Sequence, residues 1–123
     1  MVIKESAENY LETIFMLNSK KGYARSIDVA NELGVSKPSV SVAMKHFREE
    51  GYITIEEDGA LKLTAKGEEI AERVFERHQV IARALIALGV DEETAYDDSC
   101  KIEHDISQKS FEKIKAYLTE KGK

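Results

Sequence analysis

The sequence has little of what would mark a secreted, membrane-bound or disordered chain. One proline and seven glycines among 123 residues leave few breaks, so long unstructured tracts are not expected. No apolar run approaches membrane-spanning length, and the N-terminus carries no signal-like stretch. No membrane association and a cytoplasmic location are the expectations. The lone cysteine, Cys100, cannot form an internal disulfide, so it is a buried thiol, a ligand or a nucleophile. There is no internal repeat and no low-complexity tract. Positive charge is not in excess: 18 Lys and Arg face 23 Asp and Glu, for a net charge of -5, which counts mildly against nucleic-acid binding. Distribution matters more than the total. From Asp91 to Asp105 the acids Asp91, Glu92, Glu93, Asp97, Asp98, Glu103 and Asp105 are opposed only by Lys101. That local excess suits a cation better than a phosphate.

What is present is enough for a core: 42% hydrophobic residues, with 33% charged residues to solvate helix faces. The length allows one compact unit, or one small domain with a helical appendage. Met1 to Lys20 reads as an amphipathic helix with Ser6 as N-cap and an apolar stripe of Tyr10, Leu11, Ile14, Phe15 and Leu17. Glu8, Asn9 and Glu12 fall near one side of it, where the plain reading is a solvated polar face.

A short second helix is predicted over Ala24 to Leu33, followed by a turn at Gly34. Ser36 caps a third helix, Pro38 is tolerated in its first turn, and the helix runs to Gly51. With Ala30, Leu33, Val35 and Val40 inward, this is the helix-turn-helix pattern. Two alternating runs, Tyr52–Ile55 and Ala60–Leu63, flank an Asp58-Gly59 turn and predict a hairpin, the wing. On the recognition helix, Ser39, Ser41 and Val42 can reach base edges. Lys37, Lys45 and Arg48 can reach phosphates, as can the free N–H groups at the helix start around Ser36 and Pro38. The plain alternative is that these residues only solvate a helix. The wing tip, Glu56-Glu57-Asp58, is acidic and should not grip the minor groove tightly.

Thr64 is expected to cap a long helix over about 65–88, with Ile70, Val74, Phe75, Ile81, Leu85 and Leu88 apolar, that links the winged module to the C-terminal helices. Asp91 should cap a short turn, Glu92 to Tyr96, and Asp97 or Asp98 the helix carrying Cys100, Glu103 and His104. Ser107 should cap the last helix, through Phe111, Ile114, Tyr117 and Leu118. These helices are too few to close a second core alone, and their apolar faces, with part of the first helix, predict a homodimer on a palindromic stretch of double-stranded DNA. Read as helix, Cys100, Glu103 and His104 share one face, and a thiolate, a carboxylate and an imidazole there form half of a transition-metal site. His78 and Glu12 are candidates for the other half, although a lone histidine is more often structural. No nucleophile, general base or glycine-rich phosphate loop accompanies the cluster, so an enzyme is not expected.

The order of these parts resembles a known family. Glu8-Asn9-Tyr10-Leu11-Glu12 in helix one, the Arg77-His78 pair, and Cys100-x-x-Glu103-His104 are similar to the diphtheria-toxin-repressor family of metal-dependent repressors, in its short form without an SH3-like domain. The resemblance implies that Glu103 and His104 are primary metal ligands and that His78 is a ligand in both iron and manganese branches. Cys100 occupies a position that is cysteine in the iron branch and glutamate in the manganese branch. Glu12 matches a carboxylate ligand of the manganese branch. Asn9 stands where the iron branch has methionine and the manganese branch aspartate, and its side-chain carbonyl oxygen is a weaker candidate ligand; Ala82 and Tyr96 replace two further iron-branch ligands.

The expectation is a mainly α protein with a winged helix-turn-helix DNA-binding domain over 1–64 and a helical metal-binding and dimerisation domain over 65–123. Its function would be Fe(II)- or Mn(II)-dependent repression of metal-uptake genes, with Co(II), Zn(II) or Ni(II) as substitutes. The rival reading is a metal-independent winged-helix regulator sensing a small molecule or redox state through Cys100.

Overall fold

A computed structural model of the chain describes residues 5–121, and side chains over 7–120. In chain order it contains α1 (Glu5–Lys21), α2 (Ser26–Leu33), α3 (Lys37–Glu49), β1 (Ile53–Ile55), β2 (Leu61–Leu63), α4 (Ala65–Ala87), α5 (Glu92–Ile102) and α6 (Gln108–Lys121). The fold is therefore mainly α. The chain packs as two compact units, Met1–Glu72 and Arg73–Lys123, with the division inside α4. The expected start of the first helix at Met1 lies outside the described residues. Ser6, expected as its N-cap, has a helical backbone, and its side chain also lies outside them.

In the first unit, each helix contributes the apolar side of its 3.6-residue period to one core. Leu11, Ile14 and Leu17 come from α1, Val29 and Ala30 from α2, and Val40, Met44 and Phe47 from α3. The Phe47 ring meets Tyr10 edge-on at 5.9 Å and Tyr52 at 6.4 Å. The turn between α2 and α3 is made by Gly34 at φ 67°, a left-handed conformation that costs a glycine nothing. Val35, expected to point inward, is 39% exposed, because this turn ends α2 and carries the next residue outward.

The hairpin pairs Ile53 with Leu63, Thr54 with Lys62 and Ile55 with Leu61. Leu61 N donates to Ala24 O at 2.7 Å, which ties the wing to the segment before α2. Thr64 closes the hairpin and starts α4: its Oγ1 donates to Gly51 O at 2.7 Å and accepts from Gly67 N at 3.2 Å. Gly67 must be glycine for packing. A Cβ there would lie 2.1 Å from Tyr52 O.

The second unit has a smaller core of Val80, Ile81 and Phe111, flanked by Leu85, Ile106, Ile114 and Leu118. Three expectations are corrected here. Asp97 and Asp98 cap nothing: α5 is one continuous helix from its N-cap Asp91, so the region near Tyr96 is not a break. The Asp91 carboxylate accepts the Thr94 N–H at 3.0 Å, and that bond holds its pKa below the usual value. Leu88, expected on the buried face of the long helix, lies past its end and is 81% exposed. The shared helical face of Cys100, Glu103 and His104 is also not formed. The helix stops at Ile102, Glu103 is its C-cap, and His104 sits in the next turn. The Ser107 cap is present, accepting from Ser110 N at 3.1 Å.

Candidate metal centre and nucleic-acid interface

Helix α3 has two distinct sides. Val40, Met44 and Phe47 are buried, whereas Ser36, Lys37, Pro38, Ser39, Ser41, Val42, Lys45 and Arg48 are exposed. Ser36 caps the helix by accepting the Ser39 N–H at 3.3 Å, and its own hydroxyl donates to Ser39 Oγ at 2.7 Å. The helix start therefore presents oriented N–H groups, two linked hydroxyls and a nearby lysine, a combination suited to a phosphate. Val42 is 72% exposed, an apolar side chain standing in water with no packing role in its own unit. On the wing, the Asp58 carboxylate turns back to accept Ala60 N at 3.0 Å and meets Arg25 at 3.9 Å. Arg25 is a cation beside the wing that the sequence reading did not single out. Sequence spacing gives no sign of it, because the two residues meet only once the hairpin folds back.

In the second unit, donors gather around His78 on α4. His78 Nε2 lies 3.2 Å from Tyr96 O and 3.2 Å from Cys100 Sγ, and the Tyr96 ring packs edge-on to the imidazole at 5.6 Å. Donor atoms of His78 and Glu103 lie within 4.8 Å of one another. Glu103 Oε1 is 3.3 Å from His104 Nε2, and both side chains are almost fully enclosed, at 0% and 3% exposure. Cys100, by contrast, is exposed.

The structure thus brings the expected second-unit ligands together as two pairs, Cys100 with His78 and Glu103 with His104, joined through His78 and Glu103. Among the described residues, neither Cys100 nor His104 belongs to a group of three donors within 4.8 Å. In the first unit, Glu12 is only 6% exposed, which overturns the solvated-face reading for that residue, while Asn9 is half-buried and Thr13 Oγ1 donates to its backbone carbonyl at 2.8 Å. Ala82 is buried and Tyr96 packs on His78, so neither brings a side-chain ligand.

The donor set fits a divalent first-row metal. Imidazole nitrogen and carboxylate oxygen are its ordinary ligands, and enclosing the Glu103 carboxylate is costly unless positive charge or hydrogen bonds offset it. Arg77, whose role the sequence reading missed, holds the turn that carries Glu103. Its one legible signal was its place immediately before His78.

Comparison with known proteins places the chain in a family. Residues 3–61 match the family model for the iron dependent repressor N-terminal DNA binding domain. Residues 64–121 match the iron dependent repressor metal binding and dimerisation domain. The HTH-type transcriptional regulator MntR of Lysinibacillus sphaericus is 38% identical over 109 residues, 89% of this chain and 78% of the relative. The chain belongs to the diphtheria-toxin-repressor family of iron-dependent repressors. MntR of Bacillus pumilus is 40% identical over 109 residues, 89% of this chain and 76% of that protein. Among solved structures, a manganese-dependent transcriptional repressor in complex with manganese matches with a TM-score of 0.84 at 25% identity, over 92% of this chain and 52% of that one. As a member of this family the chain is a metal-dependent, DNA-binding transcriptional repressor, and the metal-independent alternative is not favoured. The family's names are those of a regulator rather than an enzyme. No helix among the described residues is long and apolar enough to cross a membrane.

Proposed function

We propose that this repressor answers to Mn(II) or Fe(II) and silences metal-uptake genes in the cytoplasm, acting as a homodimer on a two-fold symmetric operator. The observation that carries the reading is the pairing of His78 with the enclosed Glu103 carboxylate. His104 beside Glu103 and Cys100 beside His78 complete the second unit's ligands. Glu12 and Asn9, both on α1, are the donors from the first unit. Glu12 is almost fully enclosed, a placement that suits a ligand rather than a solvated side chain.

The Cys100 thiolate favours Fe(II), Co(II) or Zn(II) over Mn(II), while carboxylate and amide oxygens pull the other way; Co(II), Zn(II) and Ni(II) would serve as substitutes. His78, Glu103 and His104 would hold a divalent ion, which would supply the positive charge that offsets enclosing the Glu103 carboxylate. Without that charge, the enclosed Glu103 carboxylate and the acids around it would repel, and the ligands would not be held together. Metal and operator then favour each other by a shared coupling, typically ~1–3 kcal/mol.

On DNA, Ser39, Ser41 and Val42 face base edges, with Val42 against a thymine methyl, and Lys37, Lys45, Arg48 and the capped helix start at Ser36 and Pro38 hold phosphates. The homodimer forms through the apolar side of the second unit. Leu88 and Tyr117 are 81% and 58% exposed there and border a groove of about 670 Å³. Two copies would set two recognition helices one helical turn of DNA apart.

The test is an operator-binding titration, using a duplex selected from a random library by Mn(II)-loaded protein. It is run metal-free and with Mn(II), Fe(II), Co(II), Ni(II) and Zn(II), on the native chain and on Glu103→Ala and His104→Ala. Metal should tighten binding by the native chain at least tenfold and neither variant should respond. A Glu103→Ala protein that still responds would show the site to be wrongly assigned.

A further inference from the structure

The turn from Glu103 to Ser107 carries two of the proposed ligands, yet it has no helix to hold it. α5 stops at Ile102 and α6 does not begin until Gln108. A chain segment of that kind is held by whatever satisfies its carbonyl groups, because the last carbonyls of a helix have no partner within it. Here Ser107 O accepts Phe111 N at 3.0 Å, and two more of the carbonyls are met by one side chain. Arg77 Nη1 donates to Glu103 O at 3.0 Å and to Ile106 O at 3.0 Å, gripping the turn near both ends. Nη2 donates to Gln108 Oε1 at 2.7 Å at the start of α6, and the guanidinium lies 5.3 Å from the Phe111 ring centroid.

We propose that Arg77 is the positioning residue of the metal centre. It fixes the backbone of the Glu103–His104 turn in the setting that presents the Glu103 carboxylate to His78, with His104 beside it. The inference rests on the assignment of Glu103 and His78 as ligands. Its geometric basis is that Arg77 and His78 are consecutive on α4, so one step of helix supplies a ligand and the clamp on the segment bearing the others. The chemistry requires arginine. Two carbonyls, one amide oxygen and an aromatic face are met at once by a planar fork with several donors, whereas a lysine offers a single point of charge. The charge also suits the place, because the C-terminal end of α5 is the negative end of its dipole. Outer residues that orient metal ligands change affinity about 10–100-fold when replaced, and Arg77 differs from the usual case only in acting through the ligand's backbone.

A purely structural role would look different. Arg77 also joins α4 to α6, and so does the ion pair of Glu76 with Lys115 at 2.7 Å, which leaves the turn untouched. The full chain is therefore compared with Arg77→Lys, Arg77→Gln, Glu76→Gln and Glu103→Gln. Two measurements are made: Mn(II) affinity from the spin-resonance signal of free Mn(II), and hydrogen exchange of the Asp105 and Ile106 amides in metal-free protein. Both amides donate to Ile102 O inside the clamped turn. Arg77→Lys and Arg77→Gln should bind Mn(II) about 10–100-fold more weakly and exchange these amides faster, while Glu76→Gln changes neither. Mn(II) affinity within twofold of native in folded Arg77→Lys overturns the inference, as does an equal loss in Glu76→Gln. If Arg77→Gln does not fold, Arg77→Lys with Gln108→Ala decides. Glu103→Gln separates the two levels: retained Mn(II) binding there refutes the site itself, whereas its loss beside an unaffected Arg77→Lys refutes only the clamp.

Discussion

The two units of this repressor are specified in different ways. In the first, nearly every turn carries its own signal within a few residues. Ser36 and Pro38 start α3, Gly34 makes the bend before it, and Thr64 both closes the hairpin and opens α4. In the second, the element that matters most, the Glu103–His104 turn, is held by Arg77, a residue 26 positions earlier in the chain. A locally specified unit has errors that stay local. A site held by one distant side chain can be lost by changing a residue that touches no ligand atom.

This contrast can be broken from either side, and the largest effect belongs to Gly67. Gly67→Ala pushes a methyl onto the Tyr52 carbonyl at 2.1 Å, and backbone cannot yield as a side chain does. Overpacking of this kind costs about 1–3 kcal/mol, so the urea midpoint of the first unit should fall while the amides of α5 keep their protection. Unfolding of both units together would erase the distinction.

Ser36→Ala comes next. It removes the α3 cap and should cost ~1 kcal/mol, visible as weaker protection of the Ser39 amide and weaker operator binding, with Mn(II) affinity unchanged. Val42→Ser should leave stability within about 0.5 kcal/mol, as for an exposed position. It should also flatten the base preference at one operator position, read by binding to duplexes changed singly at each base pair.

The smallest effect is at Asp91. Its folded-state pKa is depressed by the Thr94 N–H, so the stabilisation it gives α5 is present above the unfolded pKa and is lost as pH falls through the folded one. Asp91→Asn, which keeps a capping oxygen without a titrating group, should lessen the loss of stability between neutral and acid pH. An acid limb identical to that of the native chain would mean the cap adds nothing.

Much of the fold could be read from residue order. The recognition helix and wing emerged from turn residues and periodicity, and all eight DNA-facing candidates prove to be exposed. The errors arise where a local signal is overridden by its surroundings. Leu88 and Val35 have the right period to be buried but lie at ends where the helix has already stopped. Asp97 and Asp98 are good caps in isolation, yet Asp91 had already begun the helix that runs through them. Glu12 has the composition of a solvated face and is enclosed nonetheless.

Sequence alone determined which face of each helix is apolar, where the hairpin turns, and which donor atoms exist, because periodicity and turn chemistry act within a few residues. Tertiary structure decided where α5 ends, that Glu103 is enclosed while Cys100 stays in water, and that Arg77 closes on the turn between them and α6. Those outcomes depend on groups far apart in the chain competing for the same carbonyls and the same dry space, and no short window of residues contains that competition.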